Sequence, residues 1–211
     1  MYPKVLRGLI LATTGLLAAC GGGQKQEAPS GTEATTTSAS TSARPAAFAQ
    51  CMMCHTDVRG RMAGFSGSKN EPASLDRQGQ VPRTPFFFSV QGNILRDDSV
   101  VVAAVEALSR HRGSLTDRVM AAMDAADARG GDSRCTCASE PAVDAPCTGK
   151  TSHVAYILRA TKNDPSGDSF NDGRYSLYLS VTDRDIRPTE NANPVRTLRL
   201  RYERWKRRAR R

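Results

Sequence analysis

The chain is expected to fold as an α+β domain, a partial sandwich of helices on a largely antiparallel sheet, preceded by a disordered tether. Three observations point there. From Arg83 onward the hydrophobic pattern reads strand, helix, helix, strand, strand, helix, the order of helices laid on antiparallel strands rather than of alternating β–α units. Residues 20–47 are mostly Ser, Thr, Ala, Gly and Pro with almost no large apolar side chain, so they cannot offset the entropy of being ordered. The roughly 160 residues that follow are one domain's worth of chain.

At the N-terminus, Lys4 and Arg7 precede an apolar run from Gly8 to Ala18. A bilayer-spanning helix takes about 20 residues, so this run of about 11 reads as the core of a signal peptide over residues 1–19. Leu17-Ala18-Ala19-Cys20 resembles a lipobox, which makes Cys20 the expected lipidation site and mature N-terminus. Residues 20–47 then form a lipid-anchored linker. Gly21, where Asp would signal retention, resembles the outer-membrane sorting class. The expected location is the cell envelope, lipid-anchored and facing the periplasm, at the outer rather than the inner membrane.

Within the domain, Arg83 to Asn93 reads as a strand, with Phe86, Phe87 and Phe88 apolar on both faces and Gly92-Asn93 as its turn. Asp98 or Ser99 can cap a helix to about Arg110, carrying Val101, Val102, Val105 and Leu108. Ser114-x-x-Asp117 is a short capping box that opens a second helix. Leu115, Val119, Met123 and Ala126 recur there at helical spacing, and Gly130-Gly131 stops it. Met120 and Met123 belong to that helix and are expected in the core. A cysteine-containing loop from Asp132 to Thr151 follows. Val154, Tyr156 and Leu158 alternate in one strand; Tyr175, Leu177, Leu179 and Val181 alternate in another. Leu198, Tyr202 and Trp205 mark one face of a C-terminal helix, and 207–211 is a basic tail.

The formal charge of +9 is local. Nine Lys or Arg residues and one acid, Glu203, lie between Arg196 and Arg211, and the remainder is nearly balanced. Such an end can face anionic lipid or polymer, at about 1 kcal/mol per basic residue near a charged membrane, or be a solvated helix end. An exported compartment argues against a nucleic-acid partner.

Cys51-Met52-Met53-Cys54-His55, in the segment 48–56, is a C-x-x-C-H sequence, the pattern of c-type haem attachment. Two thiols add to the haem vinyl groups and the adjacent histidine reaches the iron. Ala46-Ala47-Phe48-Ala49-Gln50 and Thr56 around it resemble the first helix of small cytochromes c. The expected cofactor is therefore haem c, with Cys51 and Cys54 as thioethers, His55 as axial metal ligand, and electron transfer as the activity. The electron partner is not legible. The cytochrome likeness stops there, since neither a following Gly-Pro segment nor a distal methionine is in place.

Other readings of the cysteines stay open. Cys51 and Cys54 can form a disulfide, the default for exported thiols, leaving a non-catalytic binding or structural module. They can join Cys135 and Cys137 in a zinc site, although C-x-C spacing suits zinc poorly. A thioredoxin-like site lacks its βαβ surroundings. A bridge from Cys147 to Cys135 or Cys137 is expected. His111 and His153 are isolated and read as surface or satisfied core residues.

Four motifs carry a family resemblance. They are Ala63-Gly64-Phe65-Ser66-Gly67, Ser89-Val90-Gln91-Gly92-Asn93-Ile94-Leu95, Leu115-Thr116-Asp117-Arg118-Val119-Met120, and Gly130-Gly131-Asp132-Ser133-Arg134-Cys135. With the stretch to Trp205-Lys206, residues 57–206 resemble domain-of-unknown-function family 1028. That resemblance implies an N-terminal-nucleophile hydrolase-like fold whose opening strands and nucleophile would precede residue 57. Such chemistry uses the free terminal amine as base. An acylated Cys20 has no free amine, so the expectation is a partial, non-catalytic domain.

Overall fold

The computed structural model describes residues 52–56, 62–66, 70, 73–160 and 175–210, the first stretch by its backbone alone. The signal segment, Cys20, the tether, Cys51 and residues 161–174 lie outside the described residues. Those described form β1 (Met52–Thr56), β2 (Met62–Ser66), β3 (Leu75–Gln80), β4 (Phe87–Gly92), α1 (Ser99–Arg110), α2 (Leu115–Ala128), β5 (Val154–Ala160), β6 (Tyr175–Thr182) and α3 (Pro194–Ala209). The class is α+β, as expected. The strands pair as three two-stranded antiparallel ladders, β1–β2, β3–β4 and β5–β6.

The strand expected from Arg83 starts later, at Phe87. Pro82 and Pro85 enclose a tight turn, in which Thr84 N donates to Val81 O at 3.2 Å and Val81 N to Phe86 O at 2.9 Å. Arg83 holds the third position of that turn with φ 58°. β2 lies close against β3: a Cβ on Gly64 would fall 1.8 Å from Gln78 Nε2, so a larger residue there would have to displace the Gln78 side chain.

The helices begin and end for local reasons. Ser99 N donates to Asp97 Oδ1 at 2.7 Å, while Asp98 makes no side-chain cap bond. Ser114 and Asp117 complete the capping box of α2 in both directions. After α2, Gly130 and Gly131 take positive φ; a Cβ on Gly131 would stand 2.7 Å from Thr151 O. Asn193 caps α3, its side-chain oxygen accepting from Val195 N at 3.1 Å, with Pro194 preset for the first turn.

α2 is the central element, since its two sides serve two cores. Val119, Met120 and Met123 pack with Ile157, Leu177, Val181, Leu198 and Tyr202 of β5, β6 and α3. Ala122 and Ala126 pack with Val101, Ala104 and Leu108 of α1, Leu95, and Val81 beyond β3. Small residues on the α1 side let the two helices approach closely, and large ones on the other side fill the wider gap to the sheet. Among the described residues, no helix is long and apolar enough to cross a membrane.

The buried amide of Asn193 ties these units together. Its Nδ2 donates to Asp127 Oδ1 at 2.6 Å, Gly149 O at 3.2 Å and Thr151 Oγ1 at 3.1 Å. Asn193→Ala removes a helix cap and strands buried polar partners at once, for an expected loss of about 3 kcal/mol in denaturant unfolding. Asn193→Asp, which keeps the cap and loses the amide donor to Asp127, should be at least as damaging because it faces one carboxylate with another.

Candidate functional site

Cys54 and His55, two of the residues expected to hold haem, lie in β1, opposite Gly64 and Ala63 of β2. This corrects the helical conformation expected for the segment. A helix brings positions i, i+3 and i+4 to one face, which is the spacing of Cys51, Cys54 and His55. A strand instead assigns consecutive positions to opposite faces of its sheet. The backbone of Met52–Thr56 is thus extended where the haem-attachment resemblance implied a helix. Pairing with β2 decides the conformation, because each backbone group in the ladder gains a partner that an isolated five-residue helix would not supply.

The three cysteines of the loop between α2 and β5 are oxidised. Cys137 and Cys147 form a disulfide, one of the two bridges expected for Cys147. Cys135 is disulfide-bonded as well, with a partner outside the described side chains. Neither sulfur is then a free thiolate, which removes the zinc reading. Among the described residues no group of three or more His, Cys, Asp and Glu side chains is placed to hold a metal ion.

The strongest polar cluster was not legible in the sequence. Four consecutive residues, Lys150 to His153, cross between α2, α3 and β6. Lys150 Nζ donates to Asp183 Oδ2 at 2.9 Å, and the two side chains are only 2% and 4% exposed. His153 Nδ1 hydrogen-bonds the same oxygen. Asp183 Oδ1 is buried without a partner. On the other side of the segment, Thr151 Oγ1 donates to Asp127 Oδ1 at 2.6 Å. Asp127 Oδ2 in turn receives Arg196 Nε at 2.9 Å.

A histidine on a buried carboxylate is half of a base–nucleophile arrangement, and among the described residues the neighbouring hydroxyl does not complete it. The adjacent Ser152 hydroxyl donates to the Val154 carbonyl. It is spent on its own chain, so Ser152 is not the nucleophile His153 would activate.

The basic C-terminal helix is largely tied to the fold. Arg196 pairs with Asp127, Arg199 with Asp124, Arg201 with Asp185 and Glu190, Arg204 with Glu190, and Lys206 with Asp117. Burial alone would raise the Asp117 carboxyl, but hydrogen bonds from Lys206, Ser114 and Tyr202 hold it well below the usual carboxylate range. The hydrogen bond from Arg201 lowers Glu190 too. Burial raises Asp124 despite its arginine.

Two outcomes are expected. Asp183→Asn leaves Lys150 buried with no counter-charge and should cost on the order of 3 kcal/mol in chemical denaturation, whereas Lys150→Met combined with Asp183→Asn should recover part of that loss. Folded-state values below the unfolded ones mean that Glu190 and Asp117 stabilise the protein above about pH 4 and lose that contribution as pH falls. Melting temperature should therefore drop on acidification, and less steeply in Glu190→Gln.

Comparison with known proteins adds the following. No curated protein matches. A solved crystal structure from Silicibacter pomeroyi, a member of the same DUF1028 group, aligns with 21% identity and a TM-score of 0.43, over 72% of this chain and 50% of its own. The chain thus spans half the length of that relative. A family model, the family of unknown function DUF1028, matches residues 25–159. The match starts upstream of residue 57, where the motifs had placed the resemblance, and takes in the C-x-x-C-H segment. The chain belongs to the DUF1028 family, whose function is unknown.

Proposed function

We propose that this protein is a cell-envelope lipoprotein, anchored by lipid on Cys20, whose DUF1028 domain serves as a haem-free, non-catalytic binding module. The oxidised state of Cys135 carries the reading. The chain has six cysteines. Cys137 and Cys147 bridge each other, and Cys135 is bridged to a cysteine other than these. With Cys20 committed to lipid, the partner of Cys135 is Cys51 or Cys54. A doubly attached haem needs both, so the two states exclude one another. The strand conformation of Met52–Thr56 supports the same side, as does a family match that includes this segment.

The anchor rests on the signal-like start and the lipobox-like Leu17-Ala18-Ala19-Cys20. An acylated Cys20 amine also removes the base on which N-terminal-nucleophile hydrolysis depends, so the module binds rather than turns over. At the other end, five of the basic residues on α3 already neutralise acids of the fold, leaving Arg207, Arg208 and Arg210 as the described basic charges there without an ion pair. Anionic lipid or polymer would meet that short stretch.

Non-reducing peptide mapping of protein exported to an oxidising compartment should show a Cys135 peptide joined to the Cys51–Cys54 peptide. Co-expression with a cytochrome c maturation system should leave the protein colourless. A haem-stained band on a denaturing gel would restore electron transfer through Cys51, Cys54 and His55. Cys20→Ser should release the protein from membranes, and intact mass should show acylation; an unacylated soluble form sinks the anchor.

A further inference from the structure

A second site lies away from the cysteines and from the Lys150–Asp183 cluster. A cleft of about 530 Å³ opens between the β3–β4 turn and the end of α1, lined by Val81, Pro82, Arg83, Ser109, Arg110, Arg112 and Arg118. Four of these residues are arginines and none is acidic. Arg110 has only a loose surface pairing, 3.6 Å from Glu106, and among the described residues Arg83 and Arg112 have no ion-pair partner. Four like charges converging on one concavity repel each other, and that repulsion is relieved by a bound anion.

The back of the cleft is built. Arg118 is 8% exposed, and its Nη1 donates to Leu108 O at 3.0 Å and Ser109 O at 3.3 Å. That bond answers the carbonyl end of α1, which would otherwise repel an anion. Its guanidinium also lies 5.5 Å from the Phe86 ring, which fixes its plane. Arg118 Nε remains buried without a hydrogen-bond partner. Buried donors are rarely left so, and a shift of this side chain toward the cleft gives that donor an acceptor on a bound anion. Arg83 faces it from a turn position with φ 58°, a conformation that favours glycine. An arginine there carries a backbone cost that its place on the cleft accounts for.

We infer that this cleft binds a phosphate-bearing anion. Several arginines on one small cavity suit a dianion with three or more acceptor oxygens better than a single carboxylate, which one guanidinium satisfies. The inference does not depend on the lipid anchor or on the state of Cys135.

Calorimetric titration of the full-length protein with inorganic phosphate, at fixed ionic strength, tests it, with acetate as the carboxylate comparison. Saturable one-to-one phosphate binding is expected, with acetate much weaker. Arg83→Gln and Arg112→Gln should each weaken binding by roughly five- to tenfold, as expected for losing one charge-assisted contact. Arg184→Gln, exposed after β6 and outside the cleft, should bind as the parent does. Arg83→Gly should raise the melting temperature, by relieving the turn, while losing phosphate affinity. Absence of saturable binding, or equal losses in Arg184→Gln and Arg83→Gln, overturns the site. Acetate binding as tightly as phosphate overturns the phosphate assignment.

Discussion

The hydrogen bonds of the Asn193 amide decide how the parts of this domain meet. That side chain is fully buried, and it joins the end of α2 through Asp127, the long loop through Gly149 and Thr151, and the start of α3, which it caps. A buried amide without partners would be costly, so the geometry is tightly specified: all three segments must arrive together or none is satisfied. Lys150, the next residue back along the chain from Thr151, repeats the logic toward β6 by meeting Asp183. Two polar junctions on consecutive residues thus set where the loop crosses, and the apolar faces of α2 fill in around them.

The same constraint explains where the charge goes. A sequence with nine basic residues at its end invites a reading as an electrostatic surface. In the folded protein Arg196, Arg199, Arg201, Arg204 and Lys206 reach back to acids on α2, on the loop before α3 and beside β6, so much of the positive end is internal architecture. Unpaired charge also gathers away from that end, on Arg83 of the β3–β4 turn and Arg112 after α1, where the sequence shows only scattered arginines.

What was legible follows from locality. The capping box at Ser114 and Asp117, the apolar spacing on α2, the glycine stop and the face of α3 are all signals carried within a few residues, and the helices stand where these signals place them. The strands β5 and β6 also alternate clearly. β2 and β3 escaped notice because Met62–Ser66 and Leu75–Gln80 are short and glycine-containing, the second largely polar, and their pairing is a tertiary fact. Asp127 and Asn193 are 66 residues apart, and Lys150 and Asp183 are 33 apart; no window on the sequence contains either pair. The Cys51–His55 pattern is the opposite case. Its spacing is a strong local signal for a helical turn, and the ladder with β2 overrides it.

Whether that override holds in solution is the point on which the account turns. Backbone NMR of the isotopically labelled protein reads it directly, without assuming any cofactor. The account predicts strand-type secondary shifts for Met52 to Thr56 and cross-strand NOEs in the register that sets Cys54 opposite Gly64 and His55 opposite Ala63. Helix-type shifts over the same residues, with no contacts to Met62–Ser66, would contradict it.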